Sequence, residues 1–245
     1  MPGQHREEAE SISRIVCGDA TNVGAIPGGL VTLAALIPAY CPGVELTEIV
    51  KALTDSKVFD HVIIVDDGSE PEFAPLFVSL QALPRTTLLR HAANLGKGAA
   101  LKTGINHALV EYPDLIGVVT ADADGQHRPK DILLLAKTLQ ESPGMLIMGT
   151  RAFAGDVPLR SRIGNVLTRY IFRFLTGKQL SDTQTGLRGI PMALMRDLLS
   201  LRSNRYEFEM DMLILATQRH FSLLEVPIET IYIAKKQGLA FQSNL

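Results

Sequence analysis

Two kinds of apolar segment alternate along this chain, and that alternation restricts the fold more than any other feature. Leu30–Ile37, His61–Val65, Thr86–Leu89, Leu115–Thr120 and Met145–Met148 are short, nearly unbroken runs rich in aliphatic residues, as buried strands require. Between them, Val44–Leu53, Gly98–Val110 and Ile132–Leu139 place apolar side chains at helical spacing, as at Leu46, Ile49, Val50 and Leu53. A strand that is apolar throughout needs cover on both faces, and helical crossovers supply it. The order predicts an α/β fold with a mostly parallel central sheet and helices on both faces. Pro38 is expected to end the first strand.

Beyond residue 150 the spacing predicts an amphipathic helix over Arg160–Leu175, a strand over Thr185–Ile190 and a helix over Glu207–Arg219. Short strands at Leu223–Val226 and Thr230–Ile233 follow. Residues 1–29 carry Glu7, Glu8, Glu10 and the breaker Pro27-Gly28-Gly29. They read as a loosely ordered arm, which leaves residues 30–245 as one domain.

Composition removes several function classes. A net charge of −2 argues against a chain that grips nucleic acid through its overall field. The two cysteines, Cys17 and Cys41, build no disulfide scaffold and have no metal-binding spacing. Mean hydropathy is +0.15, yet no apolar stretch approaches the roughly 18–20 residues that span a bilayer. The polar, acidic start is not a signal peptide.

Ligands of open α/β sheets bind beyond the carboxyl ends of the strands. There the chain places Pro38-Ala39-Tyr40, Asp66-Asp67-Gly68-Ser69, Asn94-Leu95-Gly96-Lys97-Gly98, Asp122-Ala123-Asp124-Gly125-Gln126-His127 and Gly149-Thr150-Arg151. Asp122 and Asp124 would repel unless neutralised, and a hard divalent cation, Mg²⁺ or Mn²⁺, does this between carboxylates and substrate phosphates. The plain alternative is a pair of caps for a helix starting near Pro129. Asp66 and Asp67 are placed to accept hydrogen bonds from a base or ribose, or to form a turn in which Ser69 caps a helix at Pro71. Gly96-Lys97-Gly98 fits neither the Walker loop nor the dinucleotide fingerprint, since Leu101 stands where the latter needs a small residue. It still offers helix-start amides and Lys97 to a diphosphate, or else it is only a helix start with an exposed lysine. His127 is either a third metal ligand or a hydrogen-bonding neighbour, and Cys41 reads as a small buried residue.

In order and spacing, these motifs resemble family 2 glycosyltransferases of the GT-A fold. Ser181-Asp182-Thr183-Gln184-Thr185-Gly186-Leu187-Arg188, Tyr206-Glu207-Phe208-Glu209-Met210-Asp211-Met212 and Glu225-Val226-Pro227-Ile228 narrow the likeness. They are similar to the branch containing dolichol-phosphate mannose synthases and bacterial polyprenyl-phosphate glycosyltransferases. The resemblance spans residues 30–233. It implies a nucleotide-sugar donor, a divalent metal, a lipid-phosphate acceptor and inversion at the sugar carbon. Asp122 and Asp124 match the metal motif, and Glu209 stands where a metal-holding glutamine occurs in the Tyr-x-Phe-Gln-x-Glu-Met version. Asp66 would contact the base, Pro38 and Tyr40 would line the nucleotide pocket, and Asp67, Lys97 and Asp122 complete the donor set. Arg151 and Arg162 match arginines that hold the lipid phosphate, while Arg188 lies near the reaction centre. Asp182 is the candidate base, its alternative being a structural pair with Arg188 at the rim. The chain departs from the pattern at Cys41-Pro42, where many members have Asn-Glu, and Glu45 is the candidate replacement. It also stops at Leu245, where longer relatives continue, sometimes into membrane helices.

Ile163, Val166, Leu167, Tyr170, Ile171, Phe174 and Leu175 form one apolar stripe, flanked by Arg160, Arg162, Arg169, Arg173 and Lys178. A basic amphipathic helix of this kind suits a bilayer interface, so peripheral contact through residues 160–178 at the cytoplasmic membrane face is expected. The alternative is a helix packed on the sheet. Two rival functions are a non-catalytic nucleotide-sugar or lipid-binding module and a haloacid-dehalogenase-type phosphatase. The second is suggested by the Asp-x-Asp-Gly run that ends Val118–Gly125, although Gln126 stands where that signature has threonine or valine.

Overall fold

A computed structural model describes residues 14–17, 32–151 and 159–229, with side chains over 32–151 and 168–229. The apolar runs become β2 (Thr32–Ala39), β3 (His61–Asp66), β4 (Thr86–Arg90), β5 (Leu115–Thr120) and β6 (Leu146–Arg151). The periodic segments become α1 (Glu45–Ser56), α3 (Lys97–Glu111), α4 (Pro129–Glu141), α5 (Leu159–Thr176) and α7 (Glu207–Gln218). β1 (Arg14–Cys17), α2 (Ala74–Gln81), β7 (Arg188–Pro191), α6 (Met192–Leu198) and β8 (Leu223–Ile228) complete the described elements.

The strand order is β1-β8-β6-β7-β5-β2-β3-β4. β4, β3, β2 and β5 form one parallel block and β6 with β8 another. β7 runs antiparallel between β5 and β6. Successive residues of a strand face opposite sides, which explains the unbroken apolar runs. Leu33, Ala35 and Ile37 of β2 join a core with α1, α2 and α4 through Leu46, Phe77 and Leu135. Ala34 and Leu36 join the opposite core with α3, α6 and α7 through Ile105, Leu194 and Phe208. Each such leucine, isoleucine or phenylalanine, fully withdrawn from water, contributes about 1.5–3 kcal/mol.

Three details differ from the sequence expectation. β2 continues through Pro38 to Ala39. The Leu36 carbonyl accepts the Ala121 N–H and the Ala39 carbonyl accepts the Asp67 N–H, so by alternation the Pro38 nitrogen faces the β5 side. The β5 ladder has ended there at Leu36–Thr120, so the missing donor interrupts no pair of that ladder. Part of the segment read as a loose arm, Arg14–Cys17, forms β1 and pairs antiparallel with β8, its Ile15-Val16 centre having the β-branched content an edge strand favours. α6 follows β7 directly and is too short at seven residues to show a helical period. The proposed strand at Thr230–Ile233 and the rest of 1–29 lie outside the described residues.

Candidate functional site

The carboxyl ends of β2, β3 and β5 open into one cleft of about 670 Å³. Pro38, Tyr40, Asp67, Lys97, Asp122 and Asp124 are among its lining residues. Motifs far apart in sequence therefore meet at one edge of the sheet, as the fold class predicts.

Asp66 and Asp67 are both buried at the end of β3 but are used differently. Asp66 Oδ1 accepts the Ser69 N–H at 2.9 Å. Its Oδ2 lies 3.1 Å from Arg90 Nε, yet it receives no aligned hydrogen bond, so one buried oxygen retains acceptor capacity. Asp67 has a partner on each oxygen. It accepts the Leu95 and Gly96 N–H groups at 2.9 and 2.8 Å, and His91 Nδ1 sits 2.7 Å from its Oδ1. His91 Nε2 meets Thr103 Oγ1 of α3 at 2.9 Å. Asp67, assigned to the donor from sequence, thus wires β3 to the loop that opens α3. At Gly96 the backbone has φ +101°, and a Cβ would lie 2.5 Å from the Asn204 carbonyl oxygen; only glycine serves there.

That loop delivers Lys97 into the cleft rather than to the surface. Its ammonium lies 2.5 Å from Asp122 Oδ1 and 2.9 Å from Glu209 Oε1. Burial disfavours the charged lysine, but the two carboxylates outweigh it and raise the pKa above the ordinary value. For Asp122, burial works against ionisation, while Lys97 and then His127 hold the carboxyl well below the usual range. His127 Nε2 lies 3.3 Å from Asp122 Oδ2, which makes it a hydrogen-bonding neighbour of that carboxylate. Gly186 makes room for the carboxylate, since a Cβ there would sit 2.5 Å from Asp122 Oδ2. Thr120 Oγ1 fixes this approach by donating to the Gly186 carbonyl at 2.8 Å. Asp124 is exposed in the cleft, with Oδ1 accepting the Gln126 N–H at 3.1 Å. Among the described residues no three His, Cys, Asp or Glu side chains converge. Glu209 meets Lys97 in this cluster.

The mouth is formed differently. Tyr40, 45% exposed, donates from its hydroxyl to Glu70 Oε1 at 3.2 Å. Cys41 Sγ contacts Glu70 Oε2, and the Cys41 N–H donates to Ser69 Oγ at 2.9 Å. The adjacent Cys41, followed by Glu70, pushes the Tyr40 phenol up to about 12. Cys41 is half-buried on the cleft wall instead of a core residue. Glu45 is not among the residues lining the cleft. Arg205 and Tyr206 do line it. Tyr206 carries a motif signal, while Arg205 precedes α7 in an unpatterned loop.

Asp182 and Arg188 do not occupy the expected rim. Asp182 is fully buried and receives Arg151 in a two-point pair, Nε to Oδ2 at 2.6 Å and Nη2 to Oδ1 at 3.1 Å. The Gln184 N–H also donates to Oδ1 at 2.9 Å. Its structural partner is therefore Arg151, not Arg188, and both oxygens are engaged. Arg188 is buried behind the site, donating to the carbonyls of Thr185, Glu209 and Thr183 at 3.0, 2.5 and 3.2 Å. Burial lowers its pKa. Carbonyl acceptors replace water for this guanidinium, and it pins the first turn of α7, which carries Glu209, to the 183–188 segment. Buried Glu225 closes the same segment, accepting the Ser181 N–H at 2.6 Å and its hydroxyl at 3.0 Å. Sequence reasoning missed the roles of His91, Glu70 and Glu225. Only Glu225 lay within a noted motif.

The Arg162 side chain, with those of Ile163, Val166 and Leu167, lies outside the described residues. The rest of the α5 stripe faces solvent: Tyr170 is 67% exposed, Phe174 89% and Leu175 57%. Among the described α5 side chains, Phe172 is the one in the core. Arg169, Tyr170, Arg173 and Gln179 surround a small surface pocket beside the stripe. Among the described residues no helix is long and apolar enough to cross a membrane.

Comparison with known proteins converges on one group. The family model described as "Glycosyl transferase family 2" matches residues 35–200. The UDP-N-acetylglucosamine--dolichyl-phosphate N-acetylglucosaminyltransferase of Methanococcus voltae is 30% identical, over 80% of this chain and 84% of that protein. The polyprenol monophosphomannose synthase of Mycolicibacterium smegmatis is 27% identical, over 79% and 75%. In structure, the chain is similar to glucosyl-3-phosphoglycerate synthase of Mycobacterium tuberculosis in complex with Mn²⁺, UDP and phosphoglyceric acid. The TM-score is 0.63 at 16% identity, covering 81% of this chain and 69% of that one.

Proposed function

The chain belongs to the family 2 glycosyltransferases, and we propose that it moves a sugar from a nucleotide-sugar donor to the phosphate of a polyprenyl-type lipid. The fold is GT-A, so the phosphatase reading of Val118–Gly125 is set aside; that run is β5 and its exit loop, within the family match. The observation that carries the proposal is the grouping of Asp122, Asp124 and Lys97 in one cleft at the strand ends. Carboxylates with a lysine beside them suit a diphosphate and its cation.

The residues fit Mg²⁺ or Mn²⁺. Asp122 and Asp124 provide hard oxygens, and such cations commonly take one or two carboxylates and complete their shell with substrate phosphates and water. Bound there, the cation would neutralise charge on the departing diphosphate. The chain's own residues do the remaining work. Asp66, buried against Arg90 with one oxygen uncommitted and not among the residues lining the cleft, is assigned to the base from its place in the motif. Pro38 and Tyr40 wall the nucleotide. Asp67 and His91 keep Gly96 and Lys97 in place without touching it. An acceptor phosphate is already anionic, so attack with inversion needs no strong base. Asp182, its oxygens engaged, serves by orienting Arg151 toward that phosphate, and Arg162 is assigned the same phosphate. Arg188 acts as a positioning residue through Glu209 and the 183–188 segment.

Two observations support the lipid acceptor. The named activities of the Methanococcus and Mycolicibacterium relatives involve dolichyl or polyprenol phosphates, and α5 presents exposed Tyr170, Ile171, Phe174 and Leu175 beside Arg169 and Arg173. Such a face favours peripheral attachment to an anionic bilayer, here assigned to the cytoplasmic side.

The test is to incubate the protein with Mn²⁺, a panel of UDP- and GDP-sugars and vesicles containing polyprenyl phosphate, and to analyse the lipids by mass spectrometry. A sugar-phosphate-lipid product is expected. Donor consumption that yields only free sugar would overturn the acceptor assignment.

A further inference from the structure

Lys97 occupies a position for which simple phosphate binding does not account. Its ammonium bridges Asp122 and Glu209. Asp122 is also one of two carboxylates available to a divalent cation, so ammonium and cation compete for the same oxygen. The first helical turn carrying Glu209 is held by Arg188, which donates to the Glu209 carbonyl. With a neutral residue at 209, Lys97 would have Asp122 as its single carboxylate partner in this cluster. With glutamate it keeps an anionic partner after Asp122 is surrendered. Asp122, Asp124 and Glu209 together with Lys97 leave two negative charges, which match one divalent cation.

We propose that Lys97 is an exchangeable counter-ion of the donor cleft. It blocks Asp122 while the cleft is empty, then yields that oxygen to the divalent cation and turns, still beside Glu209, to the donor diphosphate. The device rests on the reading of the cleft as a metal and donor site. It makes cation and diphosphate mutually dependent, because each provides what the other's arrival displaces. The root of Lys97 does not need to move. Asp67 fixes the backbone at Gly96, and the flexible side chain makes the change.

The experiment measures Mn²⁺ binding to nucleotide-free protein, by loss of the free-ion electron paramagnetic resonance signal, and UDP and GDP binding by calorimetry. Lys97→Met is expected to bind Mn²⁺ about tenfold tighter than wild type without nucleotide, within the usual range of coupling between sites. It is also expected to bind the nucleoside diphosphate about tenfold weaker. Lys97→Arg, which keeps the charge, is expected to resemble wild type in Mn²⁺ affinity. If Lys97→Met leaves the two carboxylates too repulsive to fold, the Lys97→Met/Glu209→Gln double variant removes the surplus charge and is expected to show the same tightening. Wild type that takes up Mn²⁺ with nucleotide, combined with no gain in either variant, overturns the exchange alone. Wild type that takes up no Mn²⁺ even with nucleotide overturns the metal reading and the exchange with it.

Discussion

Two acidic clusters, at the ends of the strands on either side of β2, have opposite fates. At the end of β3, Asp67 gives its oxygens to the Leu95 and Gly96 amides and to His91. Past the end of β5, Asp122 is met among the described residues by the Lys97 and His127 side chains, and Asp124 is exposed in the cleft, accepting the Gln126 N–H. A carboxylate tied to backbone amides is fixed by the fold and cannot change partners. One neutralised by a lysine at the end of four methylenes can. The partners of Asp67 and Asp122 separate a fixed carboxylate from one that can change partners.

Replacing each cluster should produce a different kind of failure. The largest effect is expected for Asp124→Ala. Loss of a charge-stabilising group aimed at the leaving diphosphate should lower kcat/KM by about a thousandfold, and metal-dependent donor binding should disappear. Because Asp124 is exposed, the thermal midpoint should stay within about 2 °C of wild type, as surface substitutions rarely exceed about 0.5 kcal/mol. Turnover close to wild type in a metal-dependence assay would remove Asp124 from the site.

Asp67→Ala should behave in the opposite manner. It strands two amides and a histidine, each unsatisfied group costing about 1–3 kcal/mol. The main expected result is therefore a stability loss of about 3 kcal/mol in urea unfolding, with a secondary rise in donor KM as Gly96 and Lys97 lose their anchor. Full stability with a selective loss of nucleotide affinity would return Asp67 to direct donor contact.

The same distinction explains how much was legible from sequence. The strands and long helices announce themselves because burial on two faces leaves an unbroken run and burial on one leaves a period. The gathering of Pro38, Lys97 and Asp122 follows from the rule that strand ends share an edge. Arg188 was not legible: its partners are backbone carbonyls, which have no side-chain signature. The pairing of Asp182 with Arg151 was equally hidden, since nothing in the sequence says which of two nearby arginines a carboxylate takes. α6 and β1 were missed because elements of seven and four residues are too short to display a period.

α5 extends the comparison from the cleft to the surface. Phe172 is in the core, while Ile171 and Phe174 are 44% and 89% exposed. Ile171→Glu with Phe174→Glu should leave the unfolding midpoint nearly unchanged and weaken co-sedimentation with anionic vesicles at least tenfold. Each apolar side chain kept from an apolar phase forfeits about 1.5–3 kcal/mol when its burial would be complete. Undiminished vesicle binding would move the membrane contact elsewhere, and unfolding would assign these side chains to packing.

The smallest effect is expected at the mouth, where Tyr40 and Cys41 meet the Glu70 side chain. The Tyr40 hydroxyl reaches Glu70 at 3.2 Å in a largely exposed position. A hydrogen bond open to water is replaced by water at little cost, so Tyr40→Phe should change stability by less than about 0.5 kcal/mol. If the ring itself walls the nucleotide, donor KM should shift by no more than about twofold, whereas Tyr40→Ala, which removes the stacking surface, should raise it by about tenfold. A Tyr40→Phe penalty as large as that of Tyr40→Ala would mean that the hydroxyl, through Glu70, holds Cys41 and the cleft wall in place. The mouth would then belong with Asp67 among the fixed parts of the molecule.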